Sequence, residues 1–504
     1  MKQHHLHTSI HFVTGSIAPR LFGSFVEHMG SVIYNGIYEP DHPQADEKGF
    51  RKDVLALIQD LKLSVIRYPG GNFSSGYNWE DTVGPKKERP VLKELAWEGI
   101  ETNQFGLNEF LEWVKLTGAE PIITINLGTR GIDAARNLVE YCNGSGGTYW
   151  SDLRRSHGYG EPHGIKLWCL GNELDGEWQI AAKRARDYGA LAREAAKVMR
   201  KVDPSIQLVT VGSSARHLDS YPEWDRKVLD ESYEQADYIS LHNYINKKSD
   251  NTPTYLARPI EMEKQICEII AACDYVQGAK RSQKTMYLAF DEWNVHKEPD
   301  IPYEKWQIGS PFDWCQYTME DTLVFASMML TILRHADRIK IGCQSLLVNT
   351  IPLILSLKEG PAWRNATYYP LLHASLYAKG EVLQQQSSGP LYTAGDFTDV
   401  PGVDSATVLD EEGGVITLFS VNRLSEDVSL KFICDGMFQG EKKEIQVEHI
   451  QLYHKDLMAR NTIDAPETLT PVSCSFTKAS DEDLSMTLRP YSWNVFRMKQ
   501  ENKE

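Results

Sequence analysis

The 504-residue chain has no apolar stretch approaching the roughly 18 uninterrupted residues that a membrane-spanning helix needs, so no transmembrane segment is expected. It has no long basic run either. A formal net charge of -16 argues against nucleic acid or an anionic membrane as the main partner, since either would repel such a surface. The opening residues, MKQHHLHTSIHFV, lack the apolar core and small-residue cleavage site of a secretory leader, and a cytoplasmic protein is expected. Its eight cysteines show no CxxC spacing, and several fall inside apolar runs, which reads as reduced core thiols. The stretch from Cys142 to Gly147 is glycine-rich, but it lacks the lysine of a phosphate-binding loop and follows a helix pattern instead of a strand. There is no internal repeat, low-complexity tract or obvious flexible linker. His4, His5 and His7 stand close enough in sequence to suggest a metal, but a solvated strand is the simpler reading.

Aromatic residues are plentiful, with 12 Trp and 23 Tyr, a wealth that suits either sugar binding or a large core. From Leu21 onward, short apolar runs alternate with helical spacing. Strands are expected at Leu21 to Gly30, Ser64 to Arg67, Pro121 to Asn126, Ile165 to Leu170, Ile206 to Val211, Tyr238 to His242, Thr285 to Phe290 and Arg338 to Cys343. Helices are expected near 51–61, 107–117, 132–141, 181–201, 259–272 and 320–335. Eight strands separated by helical segments predict an α/β fold, a (β/α)8 TIM barrel over residues 19–379. Beyond about Gly380 the texture becomes short alternating runs such as Val428 to Phe432, the pattern of an all-β sandwich. The expected second domain is this C-terminal sandwich, jelly-roll-like, formed by residues 380–504 with 1–18 joining it.

A TIM barrel builds its active site at the C-terminal ends of its strands. Those ends carry Glu27, Asn72, Asn126, Asn172, Glu173, His242, Tyr244, Asp291 and Glu292. Two of the runs follow one recipe. LWCLGNELD, from Leu167 to Asp175, ends in Glu173, and MYLAFDEWN, from Met286 to Asn294, delivers Glu292. Acetal cleavage needs such a pair of carboxyl groups, one to protonate the leaving oxygen and one to attack or stabilise the oxocarbenium-like centre. Side by side they would differ in proton affinity, ionised Glu292 holding a proton on Glu173 by repulsion.

The chain resembles the α-L-arabinofuranosidases of glycoside hydrolase family 51, within the large clan of retaining (β/α)8 glycosidases. The resemblance runs almost continuously from about Gly23 to Ala378. It is carried by FGSFVEH (Phe22 to His28), RYPGGNF (Arg67 to Phe73), GYNWED (Gly76 to Asp81), ETNQFG (Glu101 to Gly106), LGNELDG (Leu170 to Gly176) and FDEWNV (Phe290 to Val295). It implies Glu173 as general acid/base and Glu292 as nucleophile, with carboxyl groups roughly 5 to 5.5 Å apart. It further implies Asn172 on the sugar 2-OH, Glu27 and Asn72 on other hydroxyls, Tyr244 supporting the nucleophile and Trp97 flanking the furanose. Arg67 is expected either on sugar or on a buried carboxylate, and Asp291 and Trp293 as structural neighbours. No cofactor or metal is implied; the substrate would be an arabino-oligosaccharide, and the assembly a homo-oligomer, a hexamer.

Two positions depart from the family pattern. Leu346 stands where a sugar-binding glutamine is usual, with Gln344 two residues earlier as a candidate replacement, and His296 stands where a second tryptophan is frequent. From sequence alone, a β-xylosidase or endoglucanase specificity stays open, as does a carbohydrate-binding protein on a decayed glycosidase scaffold. A metal-dependent barrel enzyme is disfavoured, because the strand ends carry no His and Asp cluster beyond His242.

Overall fold

A computed structural model describes residues 1–248, 251–297, 304–310, 315–436, 444–479 and 484–500. Eight parallel strands close into a barrel: Arg20–Phe25, Val65–Tyr68, Glu120–Thr124, Leu167–Cys169, Gln207–Thr210, Tyr238–Asn246, Tyr287–His296 and Ile339–Gln344. Each coincides with an expected run. The strands are short because their apolar residues must be buried on both faces, with side chains filling the barrel inside and helices covering it outside. The sixth and seventh strands run on past the rim, in register from Glu292 opposite His242 to His296 opposite Asn246. This extension carries site residues into the cavity wall.

The helices lie where apolar spacing places them, among them Lys52–Leu61, Leu107–Thr117, Ile132–Asn143, Ala185–Val202, Pro259–Lys280 and Met319–Arg334. In Lys52–Leu61 the buried residues are Val54, Ile58 and Leu61, the inner stripe of one helix face. Helices Tyr149–Ser156, Glu223–Ser232 and Tyr368–Tyr377 were not expected. Among the described residues no helix is long and apolar enough to cross a membrane.

The C-terminal region forms a nine-stranded sheet that also takes in Lys2–Ser16, which pairs antiparallel with Glu381–Ser388 and parallel with Val428–Asp435. Along Lys2–Ser16 the histidines are divided by strand alternation: His4 is buried, while His5 and His7 face outward, His7 bonding Asp435 at 2.7 Å. They do not converge on one point. The barrel and this β-rich domain share a core through Met319–Arg334, which is buried along most of its length and packs against Val403–Asp410 and Val415–Asn422. At its end Arg334 Nη1 donates to Asp404 Oδ1 at 2.8 Å. All eight cysteines are free, but Cys267 and Cys474 are exposed, which corrects the expectation of core thiols for those two.

Candidate active site

The strand ends open into a cavity of about 690 Å³, whose lining includes Glu27, Asn72, Trp97, Glu173, Tyr244 and Glu292. Glu292 comes from the seventh strand and is held at both oxygens: Arg67 Nη1 donates to Oε1 at 2.8 Å and the Tyr244 hydroxyl to Oε2 at 2.8 Å. Glu173 follows the fourth strand at φ 43°, a left-handed conformation that a side-chain-bearing residue adopts at a cost and that concentrates at functional sites. Its Oε1 pairs with His242 Nδ1 at 2.8 Å and its Oε2 accepts from Trp178 Nε1 at 2.6 Å. His242 Nδ1 also lies 3.5 Å from Glu292 Oε2, so one imidazole links the two carboxylates.

Beneath this pair lies a buried charge network. Arg67, from the second strand, spans Glu292, Asn172 Oδ1 at 2.6 Å and Thr124 Oγ1 at 3.1 Å, with Asp291 Oδ2 at 3.6 Å. Ser240 Oγ donates to Asp291 Oδ1 at 2.5 Å, and His242 Nε2 stands 3.4 Å from the same oxygen. Burial opposes charge on His242, but Glu292, Asp291 and Glu173 outweigh it and hold the imidazole well above its usual range, hence cationic at neutral pH. Burial raises the Glu292 carboxyl, and the charge of Glu173 raises it further; His242 and Arg67 oppose both. These cations keep the nucleophilic form within reach. Asp291 is likewise opposed by burial but is held below the usual carboxylate range by Arg67 and His242.

The carboxyl that its surroundings do keep neutral is Glu27, pushed up to about 8 first by burial and then by the charge of Glu292. Its Oε1 accepts from Phe73 N at 2.8 Å and Trp97 Nε1 at 3.0 Å. A raised carboxyl favours the native state while neutral, so its contribution is full below the unfolded pKa and is lost as pH rises to about 8. Glu27→Gln cannot ionise. Its Tm difference from wild type is expected to shift in favour of the variant between roughly pH 5 and pH 8 and to level off above. A difference that stays constant across that window would refute the assignment.

Gly71 forms part of the cavity floor. A Cβ there would sit 2.8 Å from Glu292 Oε1, 3.2 Å from Glu27 Oε2 and 3.5 Å from Asn172 Nδ2. Gly71→Ala therefore presses a methyl group against the carboxylates. The expected loss is about 10²-fold in kcat/KM, the cost of a small misplacement of a reacting group. Unaltered kinetics would show that the floor tolerates a methyl group.

Of the candidates from sequence, Glu27, Asn72, Trp97, Glu173, Tyr244 and Glu292 line one cavity. Asn172 and Arg67 lie behind its wall, almost wholly buried, with Asn172 Nδ2 donating to Asn72 Oδ1 at 3.1 Å. Arg67 is therefore paired with the buried carboxylate and does not line the cavity. Gln344 is corrected as well: it is fully buried, its Oε1 accepting from Ser24 Oγ and its Nε2 donating to Ser345 O, and it does not reach the cavity. Leu346 does line the cavity, so an apolar wall stands where the missing glutamine was to be replaced. His296 lines it too, its ring 6.3 Å from that of Tyr244 in edge contact. Asn126 shapes its own turn, accepting from the backbone N–H groups of Gly128 and Thr129.

Sequence reading placed His242 at the rim without a role and missed Trp178. His242 was visible as a polar end to the apolar run of strand six, but its bridging role depends on two other strands, the fourth and the seventh. Trp178 lies on a loop without periodic signal. Asp175, in the same turn as Glu173, accepts from Ser214 N at 2.8 Å and Ser214 Oγ at 3.0 Å, tying this turn to a loop whose Ala215, Arg216 and His217 line the cavity.

Glu173, His242 and Glu292 each place one donor atom within 4.8 Å of the others, a spacing that would also suit a metal. The chemistry of the set does not. All four carboxylate oxygens are already engaged, three of them by the guanidinium of Arg67, the hydroxyl of Tyr244 and the indole of Trp178, none of which a metal could use as a ligand in their place, and the fourth by His242. Two carboxyl groups this close, one braced by a guanidinium and one on a left-handed turn at the cavity wall, suit nucleophilic attack paired with proton transfer.

Residues 57–259 match the model of the alpha-L-arabinofuranosidase 1 domain, and residues 291–492 that of the alpha-L-arabinofuranosidase C-terminal domain. The chain is 49% identical over 505 residues, all of both chains, to an intracellular exo-alpha-(1->5)-L-arabinofuranosidase 1 of Bacillus subtilis. It is 49% identical over 491 residues, 97% of each chain, to an intracellular exo-alpha-(1->5)-L-arabinofuranosidase of Halalkalibacterium halodurans. In structure it is similar to a family 51 alpha-L-arabinofuranosidase of Bifidobacterium longum, with a TM-score of 0.92 at 35% identity, covering 99% of this chain and 100% of that one.

Proposed function

The chain belongs to the α-L-arabinofuranosidases of glycoside hydrolase family 51, and from that membership we propose a retaining double displacement with Glu292 as nucleophile and Glu173 as general acid and base. The enzyme is an exo-acting glycoside hydrolase that releases terminal α-L-arabinofuranosyl residues. The observation that carries the mechanistic reading is the Glu173–His242–Glu292 cluster, with oxygens of both carboxylates and the linking nitrogen within 4.8 Å in one cavity.

In the first step a Glu292 oxygen attacks the anomeric carbon while Glu173, taking up the proton that His242 shares with it at 2.8 Å, delivers it to the departing glycosidic oxygen. The bond to the aglycone breaks as the ester to Glu292 forms. In the second, Glu173 takes a proton from water, whose oxygen displaces Glu292 and regenerates both groups. Arg67 and Tyr244 hold the attacking carboxylate in place and remain hydrogen-bonded to it when it leaves. Both Glu173 oxygens are engaged before substrate arrives, so proton delivery requires one bond to open. Trp178, half exposed on its turn, is the partner free to move. Asn72, Glu27 and Trp97 are assigned to the sugar, Asn172 to the 2-OH through a small shift of its amide, and Gln344 and Arg67 to support.

The substrate we assign is an oligosaccharide from arabinan or arabinoxylan with terminal α-L-arabinofuranosyl residues, those of arabinan (1→5)-linked as in the relatives' names, acted on in the cytoplasm, in keeping with the relatives named intracellular. Residues 19–379 are assigned as the catalytic unit and 1–18 with 380–504 as the accessory unit. A hexamer is the assembly that the family resemblance favours, and light scattering would measure it. His296 replaces an indole in the wall of the leaving-group side, so comparison of 1,2-, 1,3- and 1,5-linked arabino-oligosaccharides with wild type and His296→Trp tests its part. A shift in the ratio of kcat/KM values by severalfold is expected, within the range that one wall contact supplies. Identical profiles would remove His296 from specificity.

A further inference from the structure

A second cluster of metal-ligating groups lies away from the cavity, on the helices that surround the barrel. Glu263 and Cys267 stand four residues apart in Pro259–Lys280 and so share a face of that helix. His335 follows directly after Met319–Arg334. One oxygen of Glu263, the Cys267 sulfur and one ring nitrogen of His335 all lie within 4.8 Å of one another. None of the three residues lines the cavity. From this geometry we infer that Glu263, Cys267 and His335 form a site for a single thiophilic divalent cation of the zinc class, with water as a fourth ligand.

Several observations favour a cation here. Carboxylate, thiolate and imidazole are the mixed donor set that zinc accepts, and an exposed thiol beside two partly exposed partners leaves room for entry. His335 caps the C-terminal end of its helix, where unpaired carbonyls favour positive charge. Glu263 uses its oxygens separately: Oε2 accepts from Arg334 Nη2 at 3.1 Å, whereas Oε1 meets His335 Nε2 at 2.5 Å. Arg334 is itself neutralised by Asp404 in the β-rich domain, so it can keep Oε2 while the metal takes Oε1. The Glu263 carboxyl is held at about 2, against burial, by His335 and Arg334, and is ionised for ligation. The Cys267 thiol is raised by burial and by Glu263 and Glu268, so it enters the complex by losing a proton to solvent. The ion replaces the proton held between Glu263 Oε1 and His335 Nε2, and the thiol proton leaves as the sulfur–metal bond forms. It would clamp two barrel helices beside the Arg334–Asp404 contact between domains.

The full-length enzyme titrated with Co2+ tests this. One equivalent is expected to produce a thiolate-to-cobalt charge-transfer band in the near ultraviolet, abolished by added Zn2+ and absent from Cys267→Ser. Zn2+ should raise the Tm of wild type but not of Cys267→Ser, and His335→Gln should weaken Zn2+ binding at least about tenfold. The active-site cluster contains no sulfur, so it cannot give this band. No charge-transfer band, or a band that survives in Cys267→Ser, would overturn the proposal.

Discussion

Glu292→Ala is expected to lower kcat/KM for an aryl α-L-arabinofuranoside by at least about 10⁴-fold, whatever the leaving group. The size follows from what the residue does. Its oxygen forms the covalent bond in the first step, and no neighbour is placed to replace it: Asp291 is turned to Arg67 and Ser240, and Glu27 to Phe73 N and Trp97 Nε1. The substitution leaves Arg67 with Asn172, Thr124 and Asp291, so the buried guanidinium retains partners and the fold is expected to survive. Tm and circular dichroism measured alongside the kinetics separate lost chemistry from lost structure. Full activity in a folded variant would remove Glu292 from the mechanism.

Glu173→Ala should behave differently. With a leaving group such as dinitrophenolate, which departs without a proton, the first step should lose little. With an oligosaccharide, whose alkoxide cannot leave unassisted, the loss should reach about 10²–10⁴-fold, the range of general acid catalysis. The second step still needs a base to take the water proton. On the activated substrate the variant should therefore give a burst followed by slow turnover, and an arabinosyl-enzyme should accumulate. Equal losses on both substrates would contradict the acid role and leave Glu173 as a positioning residue for His242.

Much of this was legible in the chain because the relevant signals are local. Each barrel strand is a short apolar run that ends in polar residues, and a barrel sends all such ends to one rim. That alone brought Glu173 and Glu292 together. Helix Glu223–Ser232 escaped notice because its buried residues, Trp224, Asp225, Val228, Leu229 and Ser232, mix polar with apolar groups; Asp225 is buried to cap Ser213 rather than to meet solvent. Tyr368–Tyr377 is apolar on most sides, so it has little periodicity to read. At the site, spacing could not tell a residue that faces sugar from one behind the wall. Arg67, Asn172 and Gln344 sit on strand ends as Tyr244 does, yet their direction is set by contacts across the barrel, with Glu292, Asn72 and Ser24. The proton expected on Glu173 from pairwise repulsion could not be placed from sequence, because Arg67 and His242 enter the balance only once the strands close.

The most direct test of the double displacement is to locate the intermediate. Glu173→Ala mixed with an aryl α-L-arabinofuranoside, quenched in acid during slow turnover, digested and analysed by mass spectrometry, should yield one pentosyl-bearing peptide, modified at Glu292. An intermediate on any other residue, or active turnover that never yields a labelled peptide, would contradict the account.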